Sequence, residues 1–123
     1  MANLIGIATI YGVRMVDVNP QILQEIGASI AAKRDALVWY QHIFKGILCG
    51  ICIEMACANY RNDKSSWCVI LPVMTFIIVG GEHCVADTMY YLFAPGFAWR
   101  HVLQIFEVFC GNLIGAVLVV FAS

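Results

Sequence analysis

Two apolar segments, Trp67–Val79 and Thr88–Phe97, are separated by a stretch that is hard to place in a lipid-facing helix. Residues 80–87 read Gly-Gly-Glu-His-Cys-Val-Ala-Asp. Glycine weakens a helix, and an ionisable side chain at membrane depth is costly unless it faces protein or water. Such backbone is tolerated where it lines a cavity, as in the broken helices of transporters. We therefore predict a broken membrane helix at Gly80 and Gly81, with His83 as its main functional residue.

The composition favours a membrane protein over a soluble domain. Of the 123 residues, 62% are hydrophobic and 12% are charged, whereas soluble domains average about 45–50% apolar and about 25% charged residues. Because a spanning helix needs about 20 apolar residues, we predict an all-α, polytopic membrane protein. It should have about three full transmembrane helices, plus a partial first one over Met1–Val16. The net charge of −1 provides no basic surface of the kind that binds nucleic acid.

The segments on either side of the break can be assigned in the same way. Asn19-Pro20 predicts a turn, and Asp17–Ala32 has the pattern of a loop followed by an amphipathic helix. We expect the charged cluster Lys33-Arg34-Asp35 to open the next helix, which spans the membrane over Ala36–Tyr60. Val102–Ala122 is the most apolar span of the chain.

Three ionisable side chains fall inside the span Ala36–Tyr60. His42 and Lys45 are three residues apart and share a helical face. For both, extension toward the membrane interface or packing against a neighbouring helix is the favoured interpretation. Glu54 is flanked by apolar residues on each side, and a structural and a functional role are equally open for it.

The last span carries a second glycine pattern. Gly111 and Gly115 form a G-x-x-x-G pair, which allows another helix to approach closely. Asn112-Leu113-Ile114-Gly115 repeats Asn3-Leu4-Ile5-Gly6, and each copy opens an apolar segment. Repeated elements of this kind are frequent in transporters. From the glycine spacing, we predict helix packing at Gly111, Asn112 and Gly115.

The cysteines and the remaining polar residues give no sign of a catalytic or metal site. All six cysteines lie in or beside apolar segments, where thiols act as small packing residues. Cys49 and Cys52 form one C-x-x-C pair, without a second pair or a matching histidine pair. Because neither a Ser-His-Asp arrangement nor a phosphate-binding glycine loop is visible, we predict no enzyme activity, no metal and no cofactor.

Five motifs of this chain, in this order, resemble the formate/nitrite transporter family of anion channels. The helix-break motif of that family reads approximately G-F-E-H-S-V-A-N-M, and its upstream motif L-P-V-x-x-F. The corresponding motifs in this chain are Gly46–Cys49, Asp63-Lys64, Leu71–Phe76, Gly80–Asp87 and Gly111–Gly115.

The resemblance covers nearly the whole chain and corresponds to about the second half of a six-helix family member. Asn3–Gly6 would then be the equivalent motif of the third helix. The resemblance implies a single partial transmembrane domain over residues 1–123, which is half of an aquaporin-like inverted-repeat channel fold. It also implies a homopentamer in the plasma membrane, with one pore inside each protomer.

The resemblance further implies transport of small monovalent anions such as formate, nitrite or related monocarboxylates across the lipid bilayer, linked to protons. His83 would be the central histidine of the pore, beside Glu82, and Phe76 would narrow the passage. Arg34, or Lys33 next to it, would supply the cation at the pore mouth.

Three positions depart from the family pattern. Gly81 replaces a phenylalanine, which would open the constriction, while Gly50 and Asp87 each replace an asparagine. Asp87 is still expected to line the pore. These departures leave an alternative open, in which the chain is a truncated, transport-inactive half-transporter or a small membrane assembly subunit.

Overall fold

The structure is a computed structural model that describes residues 19–63 and 65–122. The predicted partial helix Met1–Val16 and the Asn3–Gly6 motif lie outside these residues. The described residues form five α-helices and no strand, which confirms the all-α prediction. The helices are α1 (Pro20–Asp35), α2 (Trp39–Asp63), α3 (Trp67–Val79), α4 (Cys84–Phe93) and α5 (Trp99–Ala122).

The membrane character of the chain resides in α2, α5 and the pair α3–α4. Two helices of the described chain, Trp39–Asn62 and Trp99–Ala122, are long and apolar enough to cross a membrane. The axes of α3 and α4 meet at 53°, so together they make a third, broken span or a re-entrant loop. No side chain of α3 is buried within the chain. The chain is therefore a polytopic helical membrane protein with one broken helix, as predicted.

The break between α3 and α4 is built from local backbone chemistry. Gly80 has φ of 77°, a left-handed conformation that glycine adopts without steric cost. The Gly81 N–H donates to the Phe76 carbonyl at 2.7 Å, which closes the end of α3. On the other side, His83 is the N-cap of α4, and its Nδ1 accepts a hydrogen bond from the Val85 N–H at 3.2 Å. The break therefore spans residues 80–83.

Helices α2 and α5 pack at unusually close range because glycines face each other across the contact. A Cβ added at Gly115 would lie 2.1 Å from the Ile47 carbonyl oxygen. A Cβ at Gly111 would lie 2.4 Å from the Ile43 carbonyl oxygen. From the side of α2, a Cβ at Gly46 would lie 2.7 Å from a backbone oxygen of α5. No side chain fits at these positions, so the two backbones are in direct contact.

Two helices begin or end at residues other than those predicted from the sequence. Lys33, Arg34 and Asp35 close α1 instead of opening the next helix. Positive side chains are favourable in the last turn of a helix because they interact with the negative end of its dipole. The following helix begins at Trp39 rather than at residue 36.

The helix after the break does not coincide with the apolar segment Thr88–Phe97 of the sequence. It is α4, which covers Cys84–Phe93. It starts earlier because His83 caps it, and it ends earlier because the residue before Pro95 is held out of the helical region. Asp87 consequently lies in the first turn of α4.

Candidate functional site

A cavity of about 330 Å³ lies where the break faces α1 and α2. All eight residues that the sequence suggested for the pore and the break line this cavity, together with six that it did not suggest, among them Lys45 and Tyr90. The eight are Lys33, Arg34, Phe76, Gly80, Gly81, Glu82, His83 and Asp87. The fold thus brings together side chains from four helices and the break.

The Glu82 carboxylate is buried and paired on both of its oxygens. Its Oε2 lies 2.7 Å from Nδ1 of His42, and its Oε1 lies 3.9 Å from the Lys45 ammonium. The Glu82 N–H also donates to the Lys45 carbonyl at 3.3 Å. The His42 side chain is 1% exposed and that of Glu82 is 3% exposed, so this pair is shielded from solvent. The sequence did not assign His42 or Lys45 to the site.

Asp87 and Arg34 form the second charge pair of the cavity. The Arg34 guanidinium lies 2.7 Å from Asp87 Oδ1, and the Asp87 side chain is 1% exposed. Arg34 also lies over the ring of Tyr90, 5.0 Å from its centroid, in a cation–π arrangement. Arg34 is therefore largely compensated within the protein, while the neighbouring Lys33 is exposed.

His83 connects this cavity with a second one on the other side of the break. The second cavity has a volume of about 280 Å³ and is lined by residues of α2, α4 and α5, including Cys49, Glu54 and Asn112. In the described part of the chain, His83 is the one residue that lines both cavities. Because its Nδ1 accepts the Val85 N–H, the neutral imidazole carries its proton on Nε2.

Asn112 of α5 joins the break to both spanning helices. Its Oδ1 accepts the Cys84 N–H at 3.1 Å. Its Nδ2 donates to the carbonyls of Gly46 and Glu82, each at 2.9 Å. One amide side chain therefore satisfies two groups of the irregular backbone, the Cys84 N–H and the Glu82 carbonyl, and links them to the Gly46 carbonyl of α2.

A comparison with known families assigns the chain to one of them. The model of the formate/nitrite transporter family matches residues 1–123. The chain belongs to the formate/nitrite transporter family. No curated protein and no solved structure is matched. This transporter-family chain is an integral membrane protein, as its apolar helices indicate.

Two of the departures from the family pattern have a steric explanation in this chain. A Cβ at Gly50 would lie 2.2 Å from the Asn112 carbonyl oxygen, so an asparagine at this position would force α2 and α5 apart. A Cβ at Gly81 would lie 3.2 Å from the Phe76 carbonyl oxygen and 3.4 Å from the Phe76 Cβ. Glycine at residue 81 thus lets the Phe76 backbone lie against the break.

Glu54 and two of the cysteines also have defined positions. Glu54 lines the second cavity and accepts a hydrogen bond from Arg61 at 3.0 Å. Cys49 and Cys52 are buried. Within residues 19–63 and 65–122, no group of three or more His, Cys, Asp or Glu side chains is arranged to hold a metal ion.

Proposed function

We propose that the chain forms a pathway for small monovalent anions, such as formate, nitrite or related monocarboxylates, with proton linkage through His83. The observation that carries this proposal is the charge of the larger cavity. Among its described lining residues are three cations (Lys33, Arg34 and Lys45) and two carboxylates (Glu82 and Asp87), so one positive charge remains when His83 is neutral. A single surplus positive charge in a partly enclosed space suits a monovalent anion.

The three cations of the cavity differ in how strongly they can attract such an anion, because carboxylates compensate their charges to different degrees. Arg34 is held by Asp87 at 2.7 Å, whereas Lys45 is only 3.9 Å from Glu82 and Lys33 is exposed. Lys33 and Lys45 therefore retain more of their charge for a ligand than Arg34 does. In this proposal they attract the anion, and the Arg34–Asp87 pair shapes the wall.

Proton transfer is assigned to His83. An anion that moves from water toward the apolar break is disfavoured relative to its neutral acid, so its proton affinity rises there. His83 directs an Nε2–H that can donate a hydrogen bond or a proton, and it lies between the two cavities. Phe76 contributes an apolar ring to the same passage and limits the entry of water and of larger solutes.

The wider features implied by the family stay part of the proposal: a homopentamer, a plasma-membrane location, and correspondence of this chain to the second half of a six-helix transporter. The alternative function, a membrane assembly subunit without transport of its own, is favoured by one observation. The apolar side chains of α3 lie on the surface of the chain, with Ile78 75% exposed, and they need lipid or a partner chain to cover them.

Formate uptake into proteoliposomes that contain the purified chain tests this proposal. His83→Asn is the informative variant, because the amide oxygen takes the place of Nδ1 as the helix cap while the titratable ring is lost. We expect saturable uptake by the unsubstituted chain, and a decrease of about tenfold or more in His83→Asn. His101→Asn is the matched control, because His101 lines neither cavity.

Two results would decide against transport through this site, and a third would remove the evidence that His83→Asn gives for it. If folded wild-type protein gave no uptake, the assembly-subunit function would be supported instead. If His83→Asn transported formate at the wild-type rate, His83 would have no part in the passage of protons. If His101→Asn lost as much uptake as His83→Asn, the loss would reflect general damage rather than the site.

A further inference from the structure

His42 lies behind the wall of the larger cavity and does not itself line the cavity. His42 contacts Glu82 Oε2 at 2.7 Å from within the bundle, while Lys45 approaches the other oxygen, Oε1, at 3.9 Å from the cavity side. One buried carboxylate is thus shared between two partners. Of these, Lys45 alone faces the space in which an anion would lie.

The charge on His42 decides which partner compensates Glu82. When His42 is neutral, it donates a hydrogen bond but no charge, so the ammonium of Lys45 is the counter-charge of the carboxylate. When His42 is protonated, the closer imidazolium compensates Glu82, and the charge of Lys45 becomes available to a ligand. Histidine is the side chain that ordinarily changes charge between pH 5 and 8.

We propose that His42 is a positioning residue of the anion pathway: its protonation makes it the counter-ion of Glu82 and releases Lys45 to bind the anion. This inference rests on the proposed function, because it assigns a regulator to the same cavity. It predicts tighter anion binding at lower pH through a residue other than His83. It does not require His42 to touch the anion.

The charged and titratable side chains around His42 favour its role as the counter-ion of Glu82. Glu82 from the break is its nearest charge, and Asp87 of α4 also interacts with it electrostatically, although Arg34 already compensates Asp87. The one titratable side chain of α3 is Cys68. Residues 108–111 of α5 pack on this part of α2, and their one titratable side chain is Cys110.

The second ring nitrogen of His42, Nε2, has no hydrogen-bond acceptor comparable to Glu82 in the described part of the chain. Nε2 is buried and has no hydrogen-bond partner among the described residues. Because Nδ1–H is already donated to Glu82, the proton that charges His42 binds at Nε2, and the Glu82 carboxylate, 2.7 Å from Nδ1, stabilises the resulting imidazolium through its charge.

The decisive variant is His42→Asn. Its amide can occupy the place of Nδ1 and donate to Glu82, but it cannot gain a charge. Formate, a carboxylate, stays ionised from about pH 5.5 to about pH 8, so changes in its apparent KM report on the protein. In the wild-type chain we expect KM to be about fivefold or more lower at the acidic end. In His42→Asn, KM should equal the wild-type value at the alkaline end and fall clearly less than in the wild type at the acidic end, since His83 is then the one histidine left at the cavity among the described residues.

Two further variants make the interpretation specific. Lys45→Gln should have a high KM at both pH values, since the responding charge is gone. His101→Asn should keep the wild-type dependence of KM on pH, because that histidine lies outside the cavity linings. The proposal is overturned if the KM of His42→Asn still falls at acidic pH as in the wild type.

A measurement on the wild-type protein decides the point even if the variants fold poorly. Nitrogen-15 NMR of histidine-labelled protein in liposomes should show the His42 ring gaining a proton between about pH 8 and about pH 5.5, and Glu82→Gln should suppress this change. A His42 ring that stays neutral throughout contradicts the proposal. If wild-type protein carries no formate at all, the proposed function fails, while the NMR result still decides whether His42 and Glu82 act as a titrating pair.

Discussion

The contact between α2 and α5 and the break between α3 and α4 are held together by opposite means. At the helix contact, Gly46 faces Gly111, Gly50 lies against the Asn112 backbone, and Gly115 lies against the Ile47 backbone, so backbone lies directly on backbone. At the break, two buried carboxylates are each matched with cationic or imidazole side chains. The first region depends on the absence of side-chain volume, and the second depends on the balance of charge.

This difference predicts how each region should respond to substitution. In the glycine contact, added volume is damaging whatever its chemistry, because carbonyl oxygens occupy the space. In the break, volume matters less than the loss of one member of a pair, which leaves the other buried and uncompensated. Asn112 belongs to both regions, since it extends from the glycine-packed face of α5 to the backbone of the break.

The largest effect should come from volume at the helix contact. Gly115→Leu would place its Cβ 2.1 Å from the Ile47 carbonyl oxygen, so α2 and α5 must separate. We expect a loss of more than about 3 kcal/mol of stability, measured by thermal unfolding in detergent. Ala122→Leu adds volume to an exposed position of the same helix and should leave the unfolding temperature unchanged. If Gly115→Leu unfolds at the wild-type temperature, the close contact does not exist.

Next in size is the loss of one partner from the Arg34–Asp87 pair, which lies beside the break. Arg34→Gln leaves the Asp87 carboxylate buried without its counter-charge, which should cost about 3 kcal/mol. A second substitution, Asp87→Asn, should recover most of that loss, as a double-mutant cycle would reveal. Lys33→Gln, at the exposed neighbouring position, should change stability by less than about 0.5 kcal/mol. Simple addition of the Arg34 and Asp87 effects would refute the pairing.

Asn112 should show an intermediate effect in both regions at once. Asn112→Ala removes three hydrogen bonds to backbone groups and should lower stability by about 2 kcal/mol. Asn112→Asp keeps the acceptor for the Cys84 N–H but places carboxylate oxygen against two carbonyls, so it should not restore stability. Asn59→Ala, an exposed asparagine of α2, is the control for unfolding measurements. Full stability of Asn112→Asp would show that the donor bonds are unimportant.

The smallest effect concerns selectivity. Phe76→Ala removes an aromatic ring from the cavity lining and should admit larger monocarboxylates. The ratio of propionate to formate uptake should rise about tenfold, equivalent to about 1.4 kcal/mol. Met74→Ala shortens an exposed side chain of the same helix outside the cavity, and it should keep the wild-type ratio. An unchanged ratio in Phe76→Ala would place the size limit elsewhere.

The break and the membrane fold could be predicted because few structures accommodate their residues. Glycines and ionisable groups between apolar segments exclude a continuous lipid-facing helix. The helix ends were harder to predict. The start of α4 at Cys84 depends on the His83 ring as a cap, and the charged cluster Lys33–Asp35 closes a helix that it was expected to precede. Such ends depend on single hydrogen bonds, which the apolar pattern does not report.

The sequence by itself determined the membrane character and the position of the break, because hydrophobic periodicity and backbone chemistry act over a few neighbouring residues. The tertiary structure alone decided the charge pairs. His42 and Lys45 were visible as neighbours on one helical face, but their partner Glu82 lies about 40 residues away along the chain. They meet because the break packs against α2, and a contact between distant segments leaves no periodic signal in the sequence.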